Sequence, residues 1–287
     1  GLMFLSIAFV AFSAVKYNSR ALSLGCLILS GITPMLSGVW MNEISLFSYL
    51  LVVVLGTIWV VALTGQRSLN LASLIMVGLY SAPYLLSYRD QDNVLLFIYV
   101  FAMIFFITNT LGIIKNKDKD ISSDLATASL NGILLLTWIM TAASTDWRSL
   151  IISAWMVVFS AGAFLTYRVT NNLRPFYIYA GIGVAMLAAA TSAELEGATL
   201  VVALTVESAI VAFLVHVITR SIEASEKASL LLIGPIILSL ESIGAYAWRD
   251  TVLHKHFFVL LVLGFLMFLL GLYFYQARKG GEKGETD

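Results

Sequence analysis

Two glutamates stand where a helical membrane protein has least reason to put them. Glu207 lies inside the apolar stretch 199–219 and Glu241 inside 229–248, whereas the other charges gather in the gaps between apolar runs. A carboxylate near mid-membrane costs about 2.5–3.5 kcal/mol on insertion scales, so such a residue usually faces a bundle interior or a water-filled cavity. The chemistry open to it is proton or cation exchange, or contact with a substrate. The structural alternative is a protonated acid hydrogen-bonded to a neighbouring Ser, Thr or carbonyl. At 1.5 Å per residue Glu207 falls about 12 Å, and Glu241 about 10 Å, from the same predicted side. If their faces meet, two acids at matched depth would share a proton, because both cannot ionise cheaply in a low dielectric. Small residues beside Glu241 (Gly234, Gly244, Ala245) point it inward. Glu207 has only Ala203 for that purpose.

Other residues carry weaker signals. His254 and His256 are separated by one residue in an outer gap, with Glu194 and Glu196 on the same side. They could contribute to a metal site, but polar covering of an interface is the simpler reading, and no cofactor or metal is assigned. His216 reaches the inner interface. Asn109 and Asn131, toward the inner ends of adjacent antiparallel spans, suit interhelical amide hydrogen bonding. No phosphate-binding loop, nucleophile elbow or zinc helix motif occurs. Pro34, Pro83 and Pro235 lie inside apolar runs, where a missing N–H and a ring clash bend a helix; Pro175 opens one.

The elements that must hold these residues follow from composition. The 287 residues are 60% hydrophobic and 12% charged, far from the roughly 45–50% and about 25% of soluble domains. Apolar runs recur at lengths near the 20 or so residues that cross a hydrocarbon core of about 30 Å. Continuous runs of that kind are helices rather than alternating barrel strands. Spans are expected at 2–15, 21–39, 46–64, 69–87, 93–114, 124–143, 149–167, 176–191, 199–219, 229–248 and 256–275. The expected fold is thus an all-α polytopic bundle of about eleven transmembrane helices, arranged as tandem hairpins over 1–275, with 276–287 as a disordered cytoplasmic tail. Even-numbered spans begin near 21, 69, 124, 176 and 229, a period close to fifty residues, and Pro34 and Pro83 sit at matching depth in two of them.

Net charge is zero, from 17 basic and 17 acidic residues, which gives no pull toward nucleic acid. Its placement is informative. One set of gaps holds Lys16, Arg20, Arg67, Lys115, Lys117, Lys119, Arg168, Arg174, Arg220, Lys227, Arg278, Lys279 and Lys283; the other holds only Arg89, Arg148, Arg249 and Lys255. The richer set is expected in the cytoplasm, with the C-terminus. Trp40, Trp147 and Trp248 fall at the opposite boundary. The single Cys26 excludes an intrachain disulfide. A start at Gly-Leu-Met and a short first run suggest the C-terminal part of a longer chain.

The motifs Gly31-Ile32-Thr33-Pro34-Met35-Leu36, Leu46-Phe47-Ser48-Tyr49-Leu50-Leu51, Ser68-Leu69-Asn70-Leu71-Ala72 and Leu204-Thr205-Val206-Glu207-Ser208-Ala209 resemble a bacterial family of multi-pass membrane proteins of unknown function. The resemblance implies tandem transmembrane hairpins in the inner membrane and no particular activity. The function expected from the residues is a transporter or permease with intramembrane carboxylates, acting on a small-molecule or lipophilic substrate. A non-catalytic scaffold in the lipid bilayer stands beside it, and an intramembrane enzyme comes third.

Overall fold

A computed structural model describes residues 12, 15–17, 19–36, 42–85, 92–115, 121–243 and 253–283. Helices run over Arg20–Leu36 (α1), Glu43–Thr64 (α2), Ser68–Leu85 (α3), Asp92–Lys115 (α4), Ser122–Ala142 (α5), Thr145–Thr170 (α6), Leu173–Glu194 (α7), Gly197–Thr219 (α8), Ile222–Ser229 (α9), Ile233–Ile243 (α10) and Lys255–Lys283 (α11). Among the described residues there is no strand. Among the described residues, seven segments are long and apolar enough to cross a membrane: α2, Val94–Lys115 in α4, α5, α6, α7, α8 and Lys255–Lys279 in α11.

Short turns with specific chemistry separate the helices. Asn42 caps α2 by accepting from the Ile44 N–H, and α2 stops at Gly65, whose φ of 74° is left-handed. Asn171 closes α6 and Arg220 closes α8 in the same conformation, each at φ 52°. Asparagine tolerates that region better than most side chains, whereas Arg220 carries the steric cost of its Cβ.

The chain divides into two compact units, Gly1–Met186 and Leu187–Asp287, with the boundary inside α7. Within the first, α5 packs on both α3 and α4, α2 packs on α3 and α4, and α6 packs on α4 and α5. The buried faces follow helical spacing: Phe101, Ala102, Phe105, Asn109 and Gly112 on α4, and Asp124, Thr127, Asn131, Leu135 and Trp138 on α5. Both stripes begin or end polar at one end of the bundle. The α3 stripe (Asn70, Ser73, Val77, Ser81) is also polar in part.

Pro34 shows how a proline inside a helix is accommodated. Its missing N–H deprives the Ser30 carbonyl of its usual donor, and the Tyr49 hydroxyl donates to that oxygen instead at 2.8 Å. The Tyr80 hydroxyl donates to the next carbonyl, Gly31. Pro83 lies near the end of α3, on its exposed side.

In the second unit α8 packs against α9, α10 and α11. Ala209 and Ala212 of α8 meet Leu232 and Leu270, with Ile236 and Phe274 alongside. The segment expected as one span at 229–248 is interrupted: α9 ends at Ser229, Leu230–Leu232 form a 3-10 turn, and α10 begins at Ile233. Pro235 accounts for the break, because its ring crowds the carbonyl four residues earlier, at Leu231. Part of the polar turn expected at 220–227 is itself helical, and Ser225 is buried, donating to the Ala212 carbonyl at 2.5 Å. At the far end α11 continues to Lys283, past Gln276 where a disordered tail was expected. Gln276, Ala277, Arg278 and Lys279 are good helix formers, and Arg278 pairs with Glu226 at 2.5 Å. Of the expected first span at 2–15 only residues 12 and 15 are described, and the boundary residues Trp40 and Trp248 lie outside the described residues; Trp147 is exposed.

Candidate functional site

The two sequence-predicted acids do not form a pair. Glu207 is half-buried and accepts a hydrogen bond from the Thr191 hydroxyl of α7. On α8 it stands about 160° round the helix from Ala209, at 100° per residue, and Ala209 belongs to the face that packs on Leu232 and Leu270. Glu207 therefore points away from α10. Glu241 is exposed, as is Gly234, while Pro235, Ser239 and Ser242 form the buried side of α10. The expectation of an inward Glu241 is thus corrected: Gly234 and Glu241, seven residues apart on the uninterrupted helix Ile233–Ile243, do share a face, but it is the exposed one, so the small residue does not mark a packed interface there. Gly244 and Ala245 lie outside the described residues.

The histidine pair has its rings 5.6 Å apart, and His256 Nδ1 lies 3.2 Å from the Ser242 hydroxyl. Among the described residues no group of three or more His, Cys, Asp or Glu could hold a metal. His216 packs edge-on against Tyr273.

A denser polar cluster lies in the first unit. It is built where the α2–α3 turn meets the end of α4 and the start of α5. Gly65 ends α2, and the chain turns within two residues so that Arg67 leads into α3. Its guanidinium reaches across to α4, where Nη1 donates to the Thr108 carbonyl at 3.5 Å. The head lies against Gly112, and a Cβ there would sit 2.1 Å from Nη1. The same nitrogen is 3.8 Å from Oδ1 of Asp124, in the first turn of α5. The Asp124 side chain is 2% exposed and that of Arg67 is 23% exposed. Both contacts are longer than the roughly 2.7–2.9 Å of a tight charge-assisted hydrogen bond.

Buried amides surround this ion pair. Asn70 follows Arg67 by one helical turn and Asn109 is the neighbour of Thr108; they are 1% and 0% exposed. Among the described residues neither the oxygen nor the nitrogen of either amide has a hydrogen-bond partner, and Oδ1 of Asp124 has none beyond its ion pair. Asn131 differs: its amide donates to the Ala102 carbonyl of α4 at 3.0 Å. The interhelical bonding expected for Asn109 and Asn131 thus exists for one of them only.

Tyr179 of α7 completes the cluster, its hydroxyl 3.1 Å from that of Thr110. The ring is fully buried and wedged edge-on against Phe106, with Phe159 beside it. Gly162 makes room, since a Cβ there would meet Phe106 at 2.8 Å. This aromatic wall aims the tyrosine hydroxyl at Thr110, two residues before Gly112.

Sequence reasoning assigned Arg67 to a loop and Asp124 to the first residue of a span, and so overlooked the cluster. A usable signal existed: Asn70-x-x-Ser73, Asn109-x-x-Gly112 and Asp124-x-x-Thr127 place small or polar residues one turn apart at the same end of three successive helices.

Comparison of the chain with family models, with curated proteins and with solved structures finds no match. The class therefore rests on the fold alone: the described residues are helical, and seven of their helices are long and apolar enough for a bilayer.

Proposed function

We propose that the protein is a carrier for a small polar solute, with about eleven membrane crossings and a cytoplasmic C-terminus in a bacterial inner membrane. The observation behind this reading is the Arg67–Asp124 pair, with its acid buried, beside two buried amides that have no partner among the described residues. An unsatisfied buried polar group costs about 1–3 kcal/mol. Two such amides next to the ion pair are a heavy burden for a bundle that only needs to stand in a membrane. They make sense as groups whose partners arrive with a substrate.

The loop-charge bias assigns this end of the bundle to the cytoplasm, and the partial exposure of Arg67 is consistent with access from there. The crossings beyond the seven would come from α1, α3, the part of the span expected at 229–248 that begins after α9, and the first apolar run. Membership of the bacterial multi-pass family is part of the same proposal. Orientation is tested with Asp146→Cys and Asn171→Cys in a Cys26→Ser background, which should label with an impermeant thiol reagent from outside and inside respectively.

Function is tested by reconstituting the full chain in liposomes and following osmotic swelling with small polar solutes. A carrier shows saturable solute entry that Arg67→Gln and Asp124→Asn abolish. Absence of entry for every solute favours the second reading, a scaffold. That reading draws on Glu241, an acid exposed on a helix whose neighbouring Leu240 and Ile243 are exposed as well.

A further inference from the structure

We infer that the Arg67–Asp124 cluster binds a small zwitterion of the α-amino acid type, its carboxylate on Arg67 and its ammonium on Asp124. The inference rests on the carrier reading for its biological sense, and its argument is electrostatic.

The cluster brings one cation and one anion together, with N···O at 3.8 Å, in a setting where Asp124, Asn70 and Asn109 are almost wholly buried. Removing one member of a buried ion pair leaves a charge uncompensated, which is strongly destabilising. A lone cation arriving at Asp124 would displace Arg67 and leave the site with an excess positive charge. A lone anion arriving at Arg67 would strand Asp124 in the same way. A ligand with both charges a few ångströms apart replaces one ion pair by two, so the site is neutral both empty and loaded.

The amides select in the same direction. Among the described residues each has an unused acceptor and an unused donor, so a partner offering only positive charge would satisfy the oxygens and leave the nitrogens facing it. A zwitterion offers ammonium donors to the amide oxygens and carboxylate acceptors to the amide nitrogens. Gly112 fits this reading, because the absence of a side chain there lets the guanidinium lie against α4 beside Asn109. The hydroxyl of Thr110 follows Asn109 on α4 and meets that of Tyr179 from α7, donor and acceptor in either sense.

The experiment is equilibrium binding of radiolabelled glycine, alanine and serine to the purified full chain in detergent, with acetate and ethylammonium as single-charge competitors. Saturable binding is expected for at least one of the three. Arg67→Gln and Asp124→Asn should each weaken it at least about thirtyfold, the lower end of what truncating one partner of a buried charged pair costs. Asn109→Ala, which leaves both charges in place, should weaken it several-fold with an unchanged size-exclusion profile, and Glu207→Gln should leave it alone. Competition by acetate or ethylammonium as strong as by alanine overturns the inference, and so does failure of all three amino acids to bind. If liposomes containing the protein still take up another polar solute, only the zwitterion assignment falls. Binding without uptake retains the site and removes the carrier; neither binding nor uptake removes both.

Discussion

Gly112→Ala separates the position of the Arg67 charge from its presence. The new methyl carbon would lie 2.1 Å from Nη1, and ordinary contact begins at 3.4 Å, so the guanidinium must retreat by about 1.3 Å. Because the obstacle is the free end of a flexible side chain, the helix itself need not move. If the retreat is away from Asp124, the separation grows from 3.8 Å to roughly 5 Å. At an effective dielectric near 20 the attraction then falls from about 4.4 to about 3.3 kcal/mol, a loss of roughly 1 kcal/mol. Replacing glycine by alanine in a helix interior returns a similar amount, about 1 kcal/mol. The two offset, so thermal unfolding in detergent, followed by tryptophan fluorescence, should shift by no more than about 2–4 °C. Solute uptake and alanine binding should nonetheless fall at least about tenfold, since a 1 Å displacement of a charged contact is enough to misplace a ligand. Gly78→Ala on α3 is the control, with nothing within 4 Å of its new methyl. If Gly112→Ala transports and binds like Gly78→Ala, Arg67 is not a ligand-bearing group. A large loss of stability would instead show that the guanidinium is locked in place by more than the contacts described.

Further outcomes follow from other features. Tyr49→Phe should cost about 1 kcal/mol of stability by leaving the Ser30 carbonyl without its donor, and the cost should vanish in a Pro34→Ala background, where the backbone N–H returns; a double-mutant cycle on unfolding free energies reads this coupling. Asn109→Leu should raise the unfolding temperature, because the amide it removes has no partner, while abolishing uptake; a fall in stability would mean the amide is satisfied. Gly132→Ala places a methyl 2.6 Å from Ile182, and overpacking of about 1–3 kcal/mol should show in denaturant unfolding. On the exposed helix α9 the Lys227 ammonium, bonded to Glu223 at 2.7 Å, holds that carboxyl below its usual range. A depressed folded-state pKa favours folding above the unfolded pKa, and the benefit is lost as pH falls through the folded value. Lys227→Ala should therefore raise the Glu223 titration midpoint seen by NMR with little change in stability at neutral pH.

Much of the helical layout is legible in the sequence because hydropathy and length are local properties. The stretches read at 46–64, 93–114 and 199–219 differ from α2, α4 and α8 by one to three residues at their ends. The break at Leu230–Leu232 is hidden because the apolar run continues unbroken through it; only Pro235 marks it. The inward face assigned to Glu241 fails for a different reason: a small residue such as Gly234 permits close packing without requiring it, and on α10 it shares the exposed side with the acid. The Arg67–Asp124 cluster is harder still. A charge at the end of an apolar run reads as a loop charge, and whether it turns outward to water or inward to a neighbour depends on which helices pack together. Arg67 turns inward because Gly112 leaves it room on α4 and Asp124 opens α5 beside it. None of these relations is local in sequence. Glu207, by contrast, is read as a buried acid with a hydroxyl partner open to it, and Thr191 supplies that hydroxyl.

The left-handed turn at Asn171 and Asn172 has a consequence for how such a site can change. With so short a link between α6 and α7, the turn sets the rotation of α7 as well as its direction. One residue inserted between the start of α7 and Tyr179 would turn that side chain by about 100° around the helix. Tyr179 would leave Thr110 and face another wall of the bundle, although no residue of the cluster had been altered. The spacing from turn to tyrosine is therefore as much a determinant of this site as side-chain identity, and variation within it should proceed by substitution while that spacing keeps its count.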